Sequence, residues 1–132
     1  MKDIGRALGP RPWRNFTTEQ TAEITRTIPP LGAAASSGTC PACASPSLHW
    51  YSYRNDLRPG SRIAYVWCSA CRHYHGDVVV DSHPTLTDPY DGCSLEARAA
   101  MESDLGSFFA GLDALWAAGH LPQLARTVPR KG

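Results

Sequence analysis

The chain has 132 residues, a formal charge of +1, 42% hydrophobic residues and 19% charged residues. This composition is typical of one compact globular domain and excludes an intrinsically disordered chain. No stretch approaches the run of about 18 apolar residues that a membrane span needs, and the N-terminus lacks the apolar core of a secretory signal. We therefore expect a cytoplasmic protein that makes no membrane contact.

Residues 1–39 are predicted to form an N-terminal arm with a short helix and a linker. The sequence Gly-Pro-Arg-Pro at 9–12 opposes regular structure, so the first 16 residues read as irregular. The Thr-x-x-Gln spacing at 17–20 is that of a capping box and predicts a helix over 18–27, although the Thr and Ile content leaves a strand open. Residues 31–39, rich in Ala, Ser and Gly, are predicted to be a linker.

Two Cys-x-x-Cys pairs, Cys40/Cys43 and Cys68/Cys71, are separated by 24 residues. Four thiolates are the ligand set that a structural zinc ion takes in tetrahedral geometry. Held as metal thiolates, the cysteines suit a reducing cytosol. The spacing therefore predicts one structural Zn²⁺ ion bound by these four residues.

The segment between and after the pairs reads as three strands. Aromatic and β-branched residues predict strands over 48–54, 62–67 and 73–80. Arg58-Pro59-Gly60-Ser61 suits a type II turn between the first two. The order predicts a three-stranded antiparallel sheet with the metal at one end.

The Cys-Pro-Ala-Cys sequence at 40–43, with Cys-Ser-Ala-Cys at 68–71, resembles the zinc ribbon superfamily over residues 38–80. The resemblance implies that the four cysteines ligate zinc, and it is specific for the metal rather than for an activity. Ala44 and Arg72 stand where the family usually has Gly. We expect some distortion there, because Gly helps this turn reach positive φ.

Residues 81–132 are predicted to form an acidic loop followed by a C-terminal helix. Ser94 can cap the helix, apolar residues recur at spacings of three and four from Leu105 to Trp116, and Gly119 is a stop signal. The predicted fold is therefore α+β, a three-stranded antiparallel zinc ribbon sheet packed against a long C-terminal helix, in one compact domain.

Enzyme signatures are absent from the sequence. His73 and His75 could replace a cysteine at the metal. Because four thiolates are present, we expect both histidines to be surface residues or to contact the metal ligands without binding the metal themselves. An all-thiolate site has no open position for catalysis. A nucleophilic role for Cys93, paired with His83 or His120, is the remaining enzymatic interpretation, and a packing role is expected instead.

Two groups of residues are candidates for contacting a partner. Aromatic and basic side chains of the predicted hairpin could anchor a protein or stack bases, although packing in the core is an equal alternative: Tyr51, Tyr53, Arg54 and Arg58. Acidic side chains in and near the loop could dock a basic partner, and the alternative is that they are solvated turn residues: Asp77, Asp81, Asp88 and Asp91.

The charge is spread over the chain without a strong basic cluster. Residues 1–39 carry five basic and three acidic groups, residues 40–80 four and two, and residues 81–132 four and seven. Binding of nucleic acid draws on clustered Lys and Arg. We therefore expect a non-catalytic, zinc-stabilised protein that binds a protein partner, similar to bacterial toxin-neutralising immunity proteins or adaptors. The alternative is a nucleic-acid-binding zinc ribbon of the transcription or translation type.

Overall fold

The computed structural model describes residues 12–27, 38–81 and 85–125. It has the predicted α+β class. Its elements, in chain order, are β1 (Arg14–Asn15), α1 (Thr18–Thr27), β2 (Leu48–Arg54), β3 (Ser61–Cys68), β4 (His73–Val80), α2 (Leu95–Glu102) and α3 (Leu105–Ala117). The start of the predicted arm, residues 1–11, and most of the predicted linker lie outside the described residues.

One mixed, four-stranded sheet forms the centre of the structure, in the order β1-β4-β3-β2. The strands β2, β3 and β4 are antiparallel as predicted, but β1 pairs with β4 in parallel. Arg14 N donates to Arg72 O at 3.0 Å, and Phe16 N donates to Tyr74 O at 2.9 Å. The prediction of a three-stranded antiparallel sheet was therefore wrong. Strand β1 could not be predicted because two residues are too few to show the alternation of apolar and polar side chains that identifies a strand.

The turn between β2 and β3 sets the register of the sheet. Gly60 has φ of +83°, as a type II turn requires at its second central residue, and Ser61 N donates to Arg58 O at 3.2 Å. In the resulting register Cys68 lies between Leu48 on β2 and His73 on β4. Both cysteine pairs therefore come to the same end of the sheet.

Helix α1 begins with the predicted capping box. Gln20 N donates to Thr17 Oγ1 at 3.1 Å, and Thr17 N donates to Gln20 Oε1 at 2.9 Å. These two bonds satisfy backbone donors that the first turn leaves free. The local signal therefore decides for a helix and against the strand alternative.

The C-terminal region has two helices where one long helix was predicted. The first ends at Glu102 with Ser103 as its C-cap, and Asp104 caps the start of the second, since Ser107 N donates to Asp104 Oδ1 at 3.2 Å. Ser103 Oγ donates to Ala100 O at 2.6 Å, a side-chain bond that competes with the continuing helix. The Ser-Asp pair therefore breaks the helix despite apolar residues on both sides.

The sheet has a hydrophobic cluster on each face. On the first face, which α1 covers, Trp50 and Val66 pack with Phe16 and Ile24. On the second face, which α2 and α3 cover, the buried residues are Tyr51, Trp67, Phe108, Phe109, Leu112 and Leu121. Trp50 therefore lies on the first face, and it contacts Trp116 of α3, with ring centroids 5.1 Å apart.

The outer edge of β2 is covered by the C-terminal segment. Ser52 N donates to Gln123 Oε1 at 2.9 Å, and Gln123 Nε2 donates to Ser52 O at 2.8 Å. One buried amide side chain thus occupies the place that a neighbouring strand would take at this residue.

Among the described residues, none of the helices has the length and apolar character that crossing a membrane demands.

Candidate metal centre and partner-binding residues

The first cysteine turn (residues 40–44) precedes β2. Ala44 N donates to Cys40 O at 2.8 Å, and Ala44 has φ of +62°. Gly38 exchanges two backbone hydrogen bonds with Leu48, of 2.9 and 3.0 Å, and so ties the start of the turn to β2. The turn is therefore intact although Ala replaces the usual Gly.

The second cysteine turn (residues 68–72) joins β3 to β4 and repeats the geometry of the first. Arg72 N donates to Cys68 O at 2.8 Å, and Arg72 has φ of +61°. Its guanidinium carbon lies 5.8 Å from the centroid of the Trp13 ring. Ala44 and Arg72, at the two positions where zinc ribbons usually have Gly, both adopt left-handed backbone, which costs free energy for a residue with a Cβ.

The two turns bring four sulfur atoms together. The Sγ atoms of Cys40 and Cys71 lie 3.6 Å apart, those of Cys43 and Cys68 lie 3.7 Å apart, and all four lie within 4.8 Å of one another. A zinc ion with bonds of about 2.3 Å to sulfur needs sulfur atoms about 3.8 Å apart. The four cysteines could therefore hold one metal ion, and the donor set fits a structural zinc.

The electrostatics of the cluster favour a cation. Burial raises the pKa of Cys68 to about 11 and is also the main cause of the raised pKa of Cys71. For Cys43 burial acts in the same direction, but hydrogen bonds from the Ser45 backbone and the neighbouring thiols outweigh it and lower the pKa. Four thiolates this close repel one another, so a bound cation would supply the charge that allows all of them to ionise.

The two histidines near the second cysteine turn differ in position. His73 Nδ1 lies 3.3 Å from Cys71 Sγ, and its ring stacks on Phe16 with centroids 5.6 Å apart. His75 Nε2 lies 3.7 Å from Asp77 Oδ2, away from the sulfur cluster. His73 can therefore hydrogen-bond a metal-bound sulfur, while the cysteines complete the ligand set without either histidine.

Asp113 on α3 connects the helical layer to the second cysteine turn. It accepts hydrogen bonds from Trp67 Nε1 at 2.9 Å, from Ser69 Oγ, and from His49 at 3.1 Å. Burial alone would raise the pKa of Asp113, but the hydrogen bonds from His49, Ser69 and Trp67 outweigh it and lower the pKa. Because Ser69 lies between Cys68 and Cys71, this carboxylate holds the turn that carries two candidate ligands.

Of the predicted partner-binding aromatic residues, Tyr51 is fully buried. Its hydroxyl donates to Asp88 Oδ1 at 2.8 Å and accepts from Arg98 Nη1 at 2.9 Å. Tyr53 is half-buried and donates to Glu102 Oε2 at 2.8 Å, and its ring lies 3.8 Å from the guanidinium carbon of Arg98. The core alternative therefore holds for Tyr51, which is not available for contact with a partner.

The acidic residues do not form one surface. Asp81 lies beside Arg54 and Arg62 on the first face of the sheet. Asp77 lies on the same face, and the Asp77 side chain is 64% exposed. Asp88 contacts Tyr51 on the second face, and Asp91 follows in the adjoining turn. The sheet thus separates the acidic docking residues predicted from sequence, and Asp81 and Asp88 are engaged internally.

The hairpin arginines are also divided. Arg62 is buried and donates to Ser52 Oγ at 3.0 Å and to Ser52 O at 3.1 Å. Arg54 is exposed and its Nε lies 3.4 Å from Asp81 Oδ2, and Arg58 is exposed at the turn.

Cys93 lies outside the sulfur cluster and its thiol faces the carbonyl of Ser94 at 3.6 Å.

No protein-family model matches the chain, and no curated protein or solved structure is significantly similar to it. The site is therefore defined by its geometry alone.

Sequence reasoning missed two charged residues that organise this region, Asp113 and Arg98. Each is a single charge in a largely apolar or Ala-rich helical stretch, Leu-Asp-Ala-Leu at 112–115 and Ala-Arg-Ala-Ala at 97–100. Such a charge is nearly always paired if it is buried. That rule could have identified Asp113 and Arg98 as candidates for buried, paired charges, but it could not have identified the residues with which they pair.

Proposed function

We propose that the protein is a non-catalytic protein-binding protein of the cytoplasm, built as a zinc ribbon and stabilised by one zinc ion. In its finer form the proposal is a bacterial immunity protein or adaptor that neutralises a cognate toxin or enzyme. The metal would be structural, because four thiols surround one point and leave no ligand position for substrate.

The observation that carries the proposal is the separation of the hairpin arginines. Among the described residues, Arg62 is buried against Ser52, Arg72 is partly buried beside Trp13, and Arg54 faces Asp81. A nucleic-acid-binding face needs several basic groups that converge on phosphates. The mixed charge of this surface is instead typical of a protein interface, where complementarity selects one partner.

The surface residues that remain available refine the predicted partner site. Arg54, Arg58, Asp77 and Asp91 are exposed, and Tyr53 is half-buried. Asp77 carries the most exposed carboxylate among the ion pairs of the first face. Among the described residues, no guanidinium group lies within ion-pair distance of the Asp77 carboxylate, so a Lys or Arg of a partner could approach it.

A native pull-down from the source cells, eluted in a salt gradient, tests the proposal. Protein, nucleic acid and metal are measured in the same eluate. We expect one protein in stoichiometric amount, with about one zinc ion per chain. Nucleic acid released progressively by salt would overturn the proposal in favour of a nucleic-acid-binding zinc ribbon.

Charge-reversal variants provide matched controls for the pull-down. Asp77→Lys changes an exposed carboxylate on the first face, and Asp91→Lys makes the same change in the turn beside the second face. Loss of the partner in only one variant would assign the interface to that face. Equal retention in both would remove the acidic residues from the interface.

A further inference from the structure

Within the part of the chain that the structure describes, strand β4 has an edge that is only partly covered. Its pairing with β1 is confined to His73 and Tyr74. Over residues 75–80, no strand of the described parts of the chain pairs with β4 on that side. The opposite edge of the sheet differs, because Gln123 occupies it at Ser52.

The direction of the backbone groups on β4 follows from its neighbours. The carbonyls of Arg72 and Tyr74 accept hydrogen bonds from the β1 side. In a strand these groups alternate from side to side, so those of every second residue point the same way. Asp81 N bonds on the other side, to Gly60 O at 2.9 Å, as this alternation requires.

The open edge therefore presents the backbone of Gly76, Val78 and Val80. One donor is already engaged, because Val78 N donates to Asp77 Oδ1 at 2.8 Å. Exposed backbone groups in this arrangement are a template for an added strand.

Apolar side chains accompany this backbone on the second face. Val78 is 45% exposed and Val80 is 76% exposed, although both lie in regular β-structure. An added strand would place its own side chains beside them and remove apolar surface from water.

A groove adjoins the same edge on the first face. Its volume is about 310 Å³, and its lining includes Ile24 and Thr25 of α1 together with Asp77 and Val79 of β4. Because Asp77 and Val79 share a face, a strand beside β4 would point every second side chain towards them.

We propose that the open edge of β4 binds an extended segment of a partner protein as an added strand, with a Lys or Arg facing Asp77 and apolar residues on either side of it. The basic residue would enter the groove side, where the Asp77 carboxylate is 64% exposed. On the second face, the apolar residue next to it would lie beside Val78, and the apolar residue three positions away would lie beside Val80. The proposal rests on the protein-binding role proposed above and names the interface.

A second copy of the chain fits this edge poorly. Antiparallel pairing of two β4 edges centred on Asp77 or Val78 would set the two Asp77 carboxylates opposite or diagonal to each other. Like charges in these positions are unfavourable. A basic partner segment has the complementary charge.

Titration of the purified, metal-containing full chain with synthetic peptides tests the proposal without a natural partner. One capped peptide of about seven residues has valines flanking a central lysine, and a matched peptide has glutamate in place of the lysine. Binding is followed through the backbone amide signals of Gly76, Val78 and Val80 in nitrogen-15 spectra. We expect the lysine peptide to shift these signals and to bind more tightly than the glutamate peptide.

Three variants sharpen the test. Val78→Pro removes an edge donor that makes no bond to β3, and we expect it to weaken binding of the lysine peptide about tenfold. Asp77→Lys should reverse the preference between the two peptides while keeping the edge. Leu57→Lys changes an apolar residue that is 84% exposed and lies outside the edge, and it should bind like the wild type.

Several results would overturn the proposal. Peptide shifts that avoid the edge amides, or a preference that Asp77→Lys leaves unchanged, would do so. Edge amides already protected from hydrogen exchange in the free monomer would assign the edge to the chain itself, and dimers in light scattering would assign it to a second copy. A partner pulled down equally by wild type and Val78→Pro would remove this edge from the interface and leave the protein-binding role intact.

Discussion

The indole Nε1 of Trp67 donates a 2.9 Å hydrogen bond to Asp113 Oδ1, so the central strand and the last helix are joined by a carboxylate. The same carboxylate accepts from Ser69, between two of the candidate metal ligands. The docking of α3 and the candidate metal site are thus physically connected through one side chain.

Asp113→Asn should lower the free energy of unfolding by about 1 to 3 kcal/mol, because an amide cannot accept from Trp67, Ser69 and His49 together. Urea unfolding of the metal-containing protein measures this change. Asp91→Asn, at an exposed turn residue, is the control and should have little effect. Equal stabilities of the two variants would show that the Asp113 contacts contribute nothing.

Replacing a metal ligand should unfold the protein. Cys68→Ser removes one of four ligands, and structural zinc contributes about 10 to 16 kcal/mol to folding in small zinc domains, comparable to the whole stability of a typical domain. Circular dichroism and metal content are the measurements. Cys93→Ser, outside the cluster, is the control and should retain both fold and metal. A Cys68→Ser protein that stayed folded without metal would contradict the structural role.

Ala44→Gly should stabilise the protein by about 0.5 to 1 kcal/mol. Ala44 has φ of +62°, where a Cβ costs roughly 1 to 2 kcal/mol, and the greater freedom of Gly in the unfolded chain offsets part of that gain. Ala42→Gly in the same turn is the control, and it should destabilise, since Ala42 packs against the core without positive φ. Thermal unfolding compares the two, and a destabilised Ala44→Gly protein would refute the strain argument.

Arg98→Met should be strongly destabilising, by about 3 to 5 kcal/mol. It removes the donor to Tyr51 and leaves Asp88 without its buried cation at 3.8 Å. Arg54→Met is the matched control, because Arg54 pairs with Asp81 at an exposed site where such pairs contribute about 0 to 1 kcal/mol. Denaturant midpoints distinguish the two, and similar losses would mean that burial does not decide the difference.

The stability of the protein should fall as the pH rises above about 10. Burial is the main cause of the raised pKa values of Tyr51, Tyr53 and Tyr65, and Glu102 raises the pKa values of the last two further. A raised folded-state pKa stabilises fully below the unfolded value of about 10, and this contribution is lost as the pH climbs through the folded values. Urea unfolding with tyrosinate absorbance measures the loss. Tyr65→Phe should show a weaker pH dependence, and an unchanged one would exclude Tyr65 as a cause.

Local signals in the sequence predicted local structure well. The capping box at Thr17 produced α1, Gly60 produced the hairpin turn, and the cysteine spacing predicted a four-sulfur cluster. Each of these depends on residues close together in the chain or on a ligand set of known chemistry.

Features that depend on distant pairing could not be predicted in the same way. Strand β1 exists only through hydrogen bonds to β4, and Tyr51 is buried because Arg98 and Asp88 satisfy its hydroxyl. Ser103 and Asp104 are residue types that favour helix caps and so could have indicated the break between α2 and α3. The apolar periodicity on both sides of them indicated one continuous helix instead.

X-ray absorption at the zinc edge of the purified full chain would show whether the four cysteines bind one zinc ion. We expect about one zinc ion per chain with four sulfur neighbours at about 2.3 Å. Nitrogen or oxygen in place of a sulfur, or no stoichiometric zinc, would contradict a closed four-thiolate site.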